Sequence, residues 1–482
     1  MLKALTTPHG GIRPYSHKSL TRERAIRTLP TPEKLVLPLR QHTGAPAIPV
    51  VTIGDTVTKG QCLAQPFGRM SAPIHSPTDA IVTEIVTGDA GYIQLRTQPA
   101  TSTVSRLSTT EDSSVERMLS LIAQAGIVGM GGAMFPAADK IRLAMRHDIN
   151  YLIINGGECE PYITADERMM QEQAEFLIGG IRYLQQLTNA RQVYIGIEDN
   201  KREALLRLDR LCEDEPDIEV VALPSLYPMG SAKQLIEAVT GQQIPQNKRS
   251  PEMGVLVQNV GTCIAIFQAI RFRQPLTHRV ITVSGRAVEE PGNLLVPIGT
   301  PINTIIAACG GLKSTPARMI LGGPMMGRAT TDLNAPITKG TSGLLLLTED
   351  EIPQPHSSAC LRCGRCVDAC PMGLPPLAML AELKIDQLNN ARDLGLNSCL
   401  LCGSCSWVCP AVLPLTQFFD WGQQQLRLEQ RRDNKMQRAG ANSLRRQERL
   451  AREAVEKAAA KAAKPSRRRN VAPDAPMEGS AC

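Results

Sequence analysis

The chain has no apolar run approaching the roughly 20 residues that a membrane-spanning helix needs. Its longest obvious run, Leu344-Leu345-Leu346-Leu347, is far too short. The opening residues, Met1-Leu2-Lys3-Ala4-Leu5-Thr6, meet Pro8, Gly10 and Gly11 before an apolar signal core can form, so no secretory signal is expected. The protein is therefore expected in the cytoplasm, or held on the cytoplasmic face of a membrane by other subunits. Aromatic residues are scarce, at 3%. Charge is nearly balanced over most of the chain: the formal net charge is +7, but residues 421–482 hold 15 Lys+Arg against 7 Asp+Glu, which leaves −1 for residues 1–420. The basicity belongs to the tail, and no nucleic-acid partner is expected.

Cysteine, by contrast, is plentiful, at 14. In a cytosolic chain that number argues for metal ligation, not disulfides. Eight fall in two runs, Cys360-x2-Cys363-x2-Cys366-x3-Cys370-Pro371 and Cys399-x2-Cys402-x2-Cys405-x3-Cys409-Pro410. This is the bacterial two-cluster ferredoxin spacing, in which three cysteines of a run hold one cubane and the fourth crosses to the other. One 4Fe-4S cluster is thus expected on Cys360, Cys363, Cys366 and Cys409, and a second on Cys399, Cys402, Cys405 and Cys370. Structural zinc is the alternative, but zinc modules present separated Cys-x2-Cys pairs, four sulfurs to an ion. Thiolate-held clusters carry single electrons, so electron transfer is the expected function. Cys62, Cys212, Cys263, Cys309 and Cys482 stand singly and read as ordinary thiols.

At 482 residues with 43% hydrophobic content, the chain has room for several cores. Residues 1–31 carry prolines, glycines and basic positions without periodicity and read as an irregular arm. Residues 32–98 hold short β-type runs punctuated by Gly44, Gly54-Asp55, Gly60 and Pro77. They resemble the barrel-sandwich fold of lipoyl and biotinyl domains, but Ala72-Pro73 stands where a carrier has its modified lysine, so a structural module is expected. His75 reads as a turn histidine. After a Thr/Ser-rich linker at 101–114, residues 112–275 alternate helix and strand, with strands at 150–155, 192–197, 218–223 and 254–258. That pattern implies an α/β layer with a mostly parallel sheet. Residues 276–328 resemble an SLBB β-grasp domain, read as a spacer in preference to a ligand-binding module. The ferredoxin module spans 355–420. The tail, 421–482, is rich in helix formers without a burying stripe, so an exposed helix dissolving into a disordered end is expected. It either contacts anionic lipid or a partner subunit, or simply solubilises. The fold class is multidomain α+β.

One glycine run stands out, Gly126-Ile127-Val128-Gly129-Met130-Gly131-Gly132-Ala133-Met134-Phe135-Pro136. It lacks both the strand-first context of a dinucleotide fingerprint and the Gly-Lys-Ser/Thr of a P-loop. Its Gly129, Gly131 and Gly132 could still expose backbone N–H groups to a phosphate or a flavin face, with Lys140 adding a charge.

These residues, with Asn155-x-x-Glu158-x-Glu160-Pro161, Asp166, Arg168, Tyr227-x-x-Gly230 and Gln258-Asn259-Val260-x-Thr262, are similar to the flavin and NADH site of the complex I flavoprotein. The four modules in this order, over nearly all of residues 30–420, resemble the RnfC (RsxC) family of the Rnf ion-translocating oxidoreductases. The resemblance implies that Gly129, Gly131, Gly132, Lys140, Asn155, Tyr227 and Asn259 hold non-covalent FMN, and that Phe135 and Glu160 face NADH. It implies a peripheral, cytoplasmic subunit on the inner membrane, partnered by integral subunits and a ferredoxin-like subunit, that couples electron transfer between NADH and ferredoxin to ion movement. Three positions depart from complex I: Met130 replaces an arginine, Met134 a glycine, and Ser231-Ala232 an acidic pair. Flavin is the part that joins two-electron nicotinamide chemistry to one-electron clusters. A cobalamin reductase of similar modular make-up and a flavin-free iron-sulfur relay are the alternative readings.

Overall fold

A computed structural model describes residues 8–68, 70–99, 114–352 and 358–462. Most of the Thr/Ser-rich linker, the end of the tail and Cys482 lie outside the described residues. The chain divides into a body ending at Phe419 and a C-terminal segment from Asp420.

In the barrel-sandwich region, Lys34–Pro38, Tyr92–Thr97, Ala80–Val86 and Thr56–Val57 form an antiparallel sheet, and Ile48–Pro49, Cys62–Gln65 and Ile74–His75 form a second. Strand alternation turns Leu35 and Leu37 inward. The core they enter does not stop at this module: it continues through Met118 and Ile122 of helix Val115–Gln124 to Leu152 and Ile154 of the next sheet. His75 sits in a buried strand, not a turn. Burial and the nearby Lys339 charge drop its imidazole to about 3, so it is neutral at ordinary pH.

The next sheet is wholly parallel, in the order Ile218–Leu223, Gln192–Glu198, Tyr151–Gly156, Val255–Asn259. From Tyr151–Gly156 the chain steps outward twice in one direction, then crosses back to add Val255–Asn259 on the other side. Helix Ala174–Thr188 packs on helix Val260–Phe272 on one face, while helix Ala232–Thr240 covers Ile153, Val255 and Val257 on the other. The helical stretch that follows the first strand of this sheet is two helices, Ala165–Glu172 and Ala174–Thr188, broken at Gln173.

The β-grasp sheet draws on more sequence than residues 276–328. Its order is Ile26–Thr28, Gly292–Pro297, His278–Ser284, Gly343–Leu347, Arg318–Leu321, Arg328–Thr330. The Leu344–Leu347 run lies in one of its four interior strands. Leu344 and Leu346 face one core and Leu345 and Leu347 another, which is why the run is apolar without a break. The arm supplies one edge strand, Ile26–Thr28, so it is built into the body.

The two cysteine runs fold alike. Cys360 to Cys399, Cys370 to Cys409 and Pro376 to Leu415 share one 39-residue offset. Arg362 and Leu401 take matching left-handed conformations, and Gly364 and Gly403 do so two residues on, each starting a short helix. The second repeat's closing helix, Leu415–Ala462, runs on into the C-terminal segment, and from Glu429 its side chains are exposed.

Candidate functional site

Strand order alone locates a site. In an open parallel sheet, a crevice opens at the carboxyl ends of the two strands between which the winding reverses. Here those strands are Tyr151–Gly156 and Val255–Asn259, and their paired last residues include Asn155 and Asn259. Both are residues the sequence singled out. The glycine loop lies over the same point: a Cβ on Gly131 would stand 3.2 Å from Asn259 Cβ. Gly131, Gly132 and Ala133 are exposed there, and Phe135 is half-buried.

The polar side chains at this crevice are tied down. Asn259 caps helix Val260–Phe272 by accepting from Gly261 N–H at 2.9 Å, and its Nδ2 donates to Asp166 Oδ2 at 2.7 Å. Asn155 accepts from Gly157 N–H and donates to the Gly230 carbonyl at 2.8 Å. Lys140 is half-buried and donates to the Val257 carbonyl; partial desolvation lowers its ammonium to about 8. Met130 N–H donates to Thr262 Oγ1 at 3.0 Å. Its carbonyl accepts from Arg279 Nη2 at 3.1 Å, so a guanidinium from the β-grasp strand reaches a loop that lacks its own arginine. Met134 keeps a left-handed backbone (φ 49°), the conformation glycine favours, with its side chain lodged against Gly340.

Two expected nucleotide-site residues look elsewhere. Glu160 accepts from Met325 and Met326 N–H at 3.0 and 2.9 Å, which binds a β-grasp loop; burial pushes its carboxyl up to about 7. Tyr227 is 2% exposed, and its hydroxyl donates to the carbonyl of Cys402 at 2.6 Å. It therefore faces the cysteine module.

Three thiols of the second run meet Cys370 of the first. Cys370, Cys399, Cys402 and Cys405 line one pocket with Leu374, Met379 and Phe419. Burial first, then the proximity of Cys370 and its partners, pushes Cys399 up to about 11 and Cys405 up to about 12. Four thiols in so apolar a place would ionise only with a cationic metal centre between them, and as a donor set they fit an iron-sulfur cluster. Backbone N–H groups already point at sulfur, Leu374 to Cys370 and Leu401 to Cys399, at 3.3 and 3.5 Å. In the other set Cys366 lies near Cys409 and Cys360. Cys360 and Cys363 are exposed, whereas Cys370, Cys402 and Cys405 are buried.

The arm is the element that sequence reasoning undervalues. Buried Lys18 donates to the carbonyls of Glu158, Glu160 and Ile163 at 2.7, 3.0 and 2.5 Å, gathering the loop that follows Gly156 around one ammonium. Lys201 pairs with Glu198 at 2.6 Å close by. No periodicity marks Lys18, because its partners are backbone carbonyls some 140 residues away in sequence.

Residues 6–93 match the RnfC barrel sandwich hybrid domain, 122–268 the Nuo51 FMN-binding domain, 280–329 the SLBB domain and 352–410 the 4Fe-4S dicluster domain. The chain is 43% identical over 437 residues to the C component of an ion-translocating oxidoreductase complex of Rhodobacter capsulatus, covering 88% of this chain and 84% of that one. It is 41% identical over 385 residues to the C component of a proton-translocating ferredoxin:NAD(+) oxidoreductase complex of Clostridium ljungdahlii, covering 78% and 83%. Among solved structures, an NAD+-reducing NiFe hydrogenase gives a TM-score of 0.46 at 19% identity, over 57% of this chain and 54% of that one, too loose a likeness to build on.

Proposed function

Because the chain belongs to the RnfC family of ion-translocating oxidoreductase components, we propose that it is the peripheral, cytoplasmic-side subunit that passes electrons between NADH and partner subunits of such a complex. Two 4Fe-4S clusters and one FMN are its proposed cofactors. A bound flavin would supply the link between two-electron nicotinamide chemistry and one-electron carriers. The chain's residues do the rest. Gly131 and Gly132 leave the loop's backbone open to a ligand, while Asn155, Asn259 and Lys140, each fixed by a hydrogen bond, frame the crevice floor. Of the eight cysteines, Cys370, Cys402 and Cys405 are buried, Cys360 and Cys363 are exposed, and Cys366, Cys399 and Cys409 are half-buried. No described helix is long and apolar enough to cross a membrane, which accords with a peripheral subunit.

The observation that carries this reading is continuity. Asn155 at the crevice bonds Gly230, and Tyr227, three residues before it, bonds Cys402 of the buried set. Residues 227–230 thus link the crevice to the buried thiol segment. A flavin-free relay has no use for such a crevice.

The test is Gly131→Ala. The new methyl would press on Asn259, which cannot swing away without losing Asp166 and the helix cap. Flavin retention should fall while iron content is unchanged, and NADH should no longer bleach the clusters although dithionite still does. A wild-type protein that purifies and reconstitutes without flavin would sink the proposal.

A further inference from the structure

The arm's first described residues run between the crevice side of the α/β domain and the buried thiol set. Gly11 N–H donates to the Ala369 carbonyl at 3.1 Å, one residue before Cys370. Ile12 pairs with Tyr227 in both directions, at 2.8 and 2.9 Å. Ile12, Tyr227, Ala369 and Cys402 pack into one buried apolar cluster. The fit leaves no slack: Gly10 is left-handed at φ +68°, and a Cβ there would stand 2.5 Å from the Cys370 carbonyl oxygen. Further along, the Ser16 carbonyl accepts from Tyr162 N–H at 2.7 Å, the His17 ring stacks on Tyr162 at 4.5 Å, and Lys18 binds its three carbonyls. The arm is thus anchored on the α/β domain by Ser16 to Lys18 and touches the cysteine module with Gly10 and Gly11.

We infer that Gly10, Gly11 and Ile12 are positioning residues for electron transfer: they clamp Tyr227 and the Cys370 segment together and so fix the separation between the crevice and the buried cluster. This rests on the flavin and cluster reading above. Among the described residues, the hydrogen bonds that join the α/β domain to the cysteine module without the arm are those of the Tyr227 hydroxyl to Cys402 and of Gln234 Nε2 to the Pro371 carbonyl at 3.1 Å and to Met372 Sδ at 3.5 Å. Electron transfer, like other chemistry that depends on placement, is sensitive to shifts of about 1 Å. The hydrogen bonds of Gly11 and Ile12 go to main-chain groups of Ala369 and Tyr227, not to the glycine loop or to a cysteine sulfur, so disturbing them should leave both cofactor sites chemically whole.

The test is Gly10→Val in the full chain, reconstituted with its cofactors, with Gly11→Val as the second variant; its Cβ would come within 2.8 Å of Leu226 Cγ and 2.9 Å of the Tyr227 carbonyl oxygen. Iron, sulfide and flavin contents should equal wild type, NADH should reduce the flavin at the wild-type rate, and dithionite should reduce both clusters. Cluster bleaching driven by NADH should slow by about tenfold or more. A merely structural arm would move all of these together or none. Wild-type cluster bleaching in both variants would overturn the inference. Loss of the buried cluster's iron in both would overturn it as well, because the arm would then be needed to build the site and not to space it. If NADH failed to reduce the flavin even in the wild type, the parent reading would fall, and the arm's role with it.

Discussion

The two cysteine sets are copies in sequence and opposites in setting. The same spacing, the same left-handed residues and the same closing helix recur at a fixed offset, so each set is equally able to hold a cluster. Yet Cys370, Cys402 and Cys405 are buried beside the arm and Tyr227, while Cys360 and Cys363 are exposed, with Leu361 at 66% exposure between them. On the proposed reading the repeat supplies ligation, and the rest of the chain supplies direction. Burial and hydrogen bonds to sulfur are the means by which a protein sets a cluster's potential, so equal ligands need not give equal carriers.

The most drastic way to break the comparison is to remove the ligand that crosses between the runs. Cys370→Ala should cost the buried cluster and leave the exposed one, so that iron falls from about eight to about four per chain. EPR of the reduced protein should then keep only the signal of the exposed set. Loss of that signal instead would mean that Cys370 does not cross.

The next largest effect tests the anchor of the arm that lies beside the buried set. Lys18→Met would leave the carbonyls of Glu158, Glu160 and Ile163 without their donor. Unpaired buried polar groups cost about 1–3 kcal/mol each, so a total of about 3–5 kcal/mol is expected after relaxation. Thermal unfolding should show it directly. A loss under about 1 kcal/mol would mean that the arm is ornament to the fold.

These two cases show what a sequence makes legible. Cysteine spacing is a local code read at fixed offsets, and the four parallel strands follow from period and punctuation, so both can be read residue by residue. Lys18, the Tyr227 hydroxyl and the Glu160 carboxylate cannot. Their partners are main-chain groups of segments distant in sequence, and main-chain groups carry no residue identity to read. The resemblance directs Tyr227 and Glu160 toward the nucleotide, whereas their observed hydrogen bonds go to the cysteine module and the β-grasp loop. The Leu344–Leu347 run is visible as apolar, but only the sheet order explains it as an interior strand buried on both faces.

A gentler probe uses pH at the junction of these modules. Burial raises the Glu160 carboxyl to about 7 in the folded chain, against 4.5 for the unfolded one. Between those values the folded state binds more protons than the unfolded state, so stability falls as pH rises through this window and levels off above about 7. Glu160→Gln removes the titration. The variant should therefore gain on wild type by roughly 1–3 kcal/mol between pH 5 and pH 8 in denaturant titrations. An unchanged difference across that range would place the carboxyl's proton affinity near that of an ordinary glutamate.

The smallest expected effect concerns the tail, and it separates what the protein carries from where it sits. From Glu429 to Ala462 the helix is exposed, with Met436 at 72% and Leu444 at 61%, and no stripe of these residues is buried. Deletion from about residue 424 removes a net charge of +8 and no cluster ligand. Both cysteine sets should keep their iron and their difference in exposure. Attachment to anionic membranes or to a partner should weaken, chiefly at low salt, since exposed charges are screened beyond about 8 Å at physiological ionic strength. Co-sedimentation with anionic vesicles at two salt concentrations checks this. If sedimentation at low salt does not change on deletion, the tail serves solubility alone, and the partner-facing surface must be sought around the exposed cysteines.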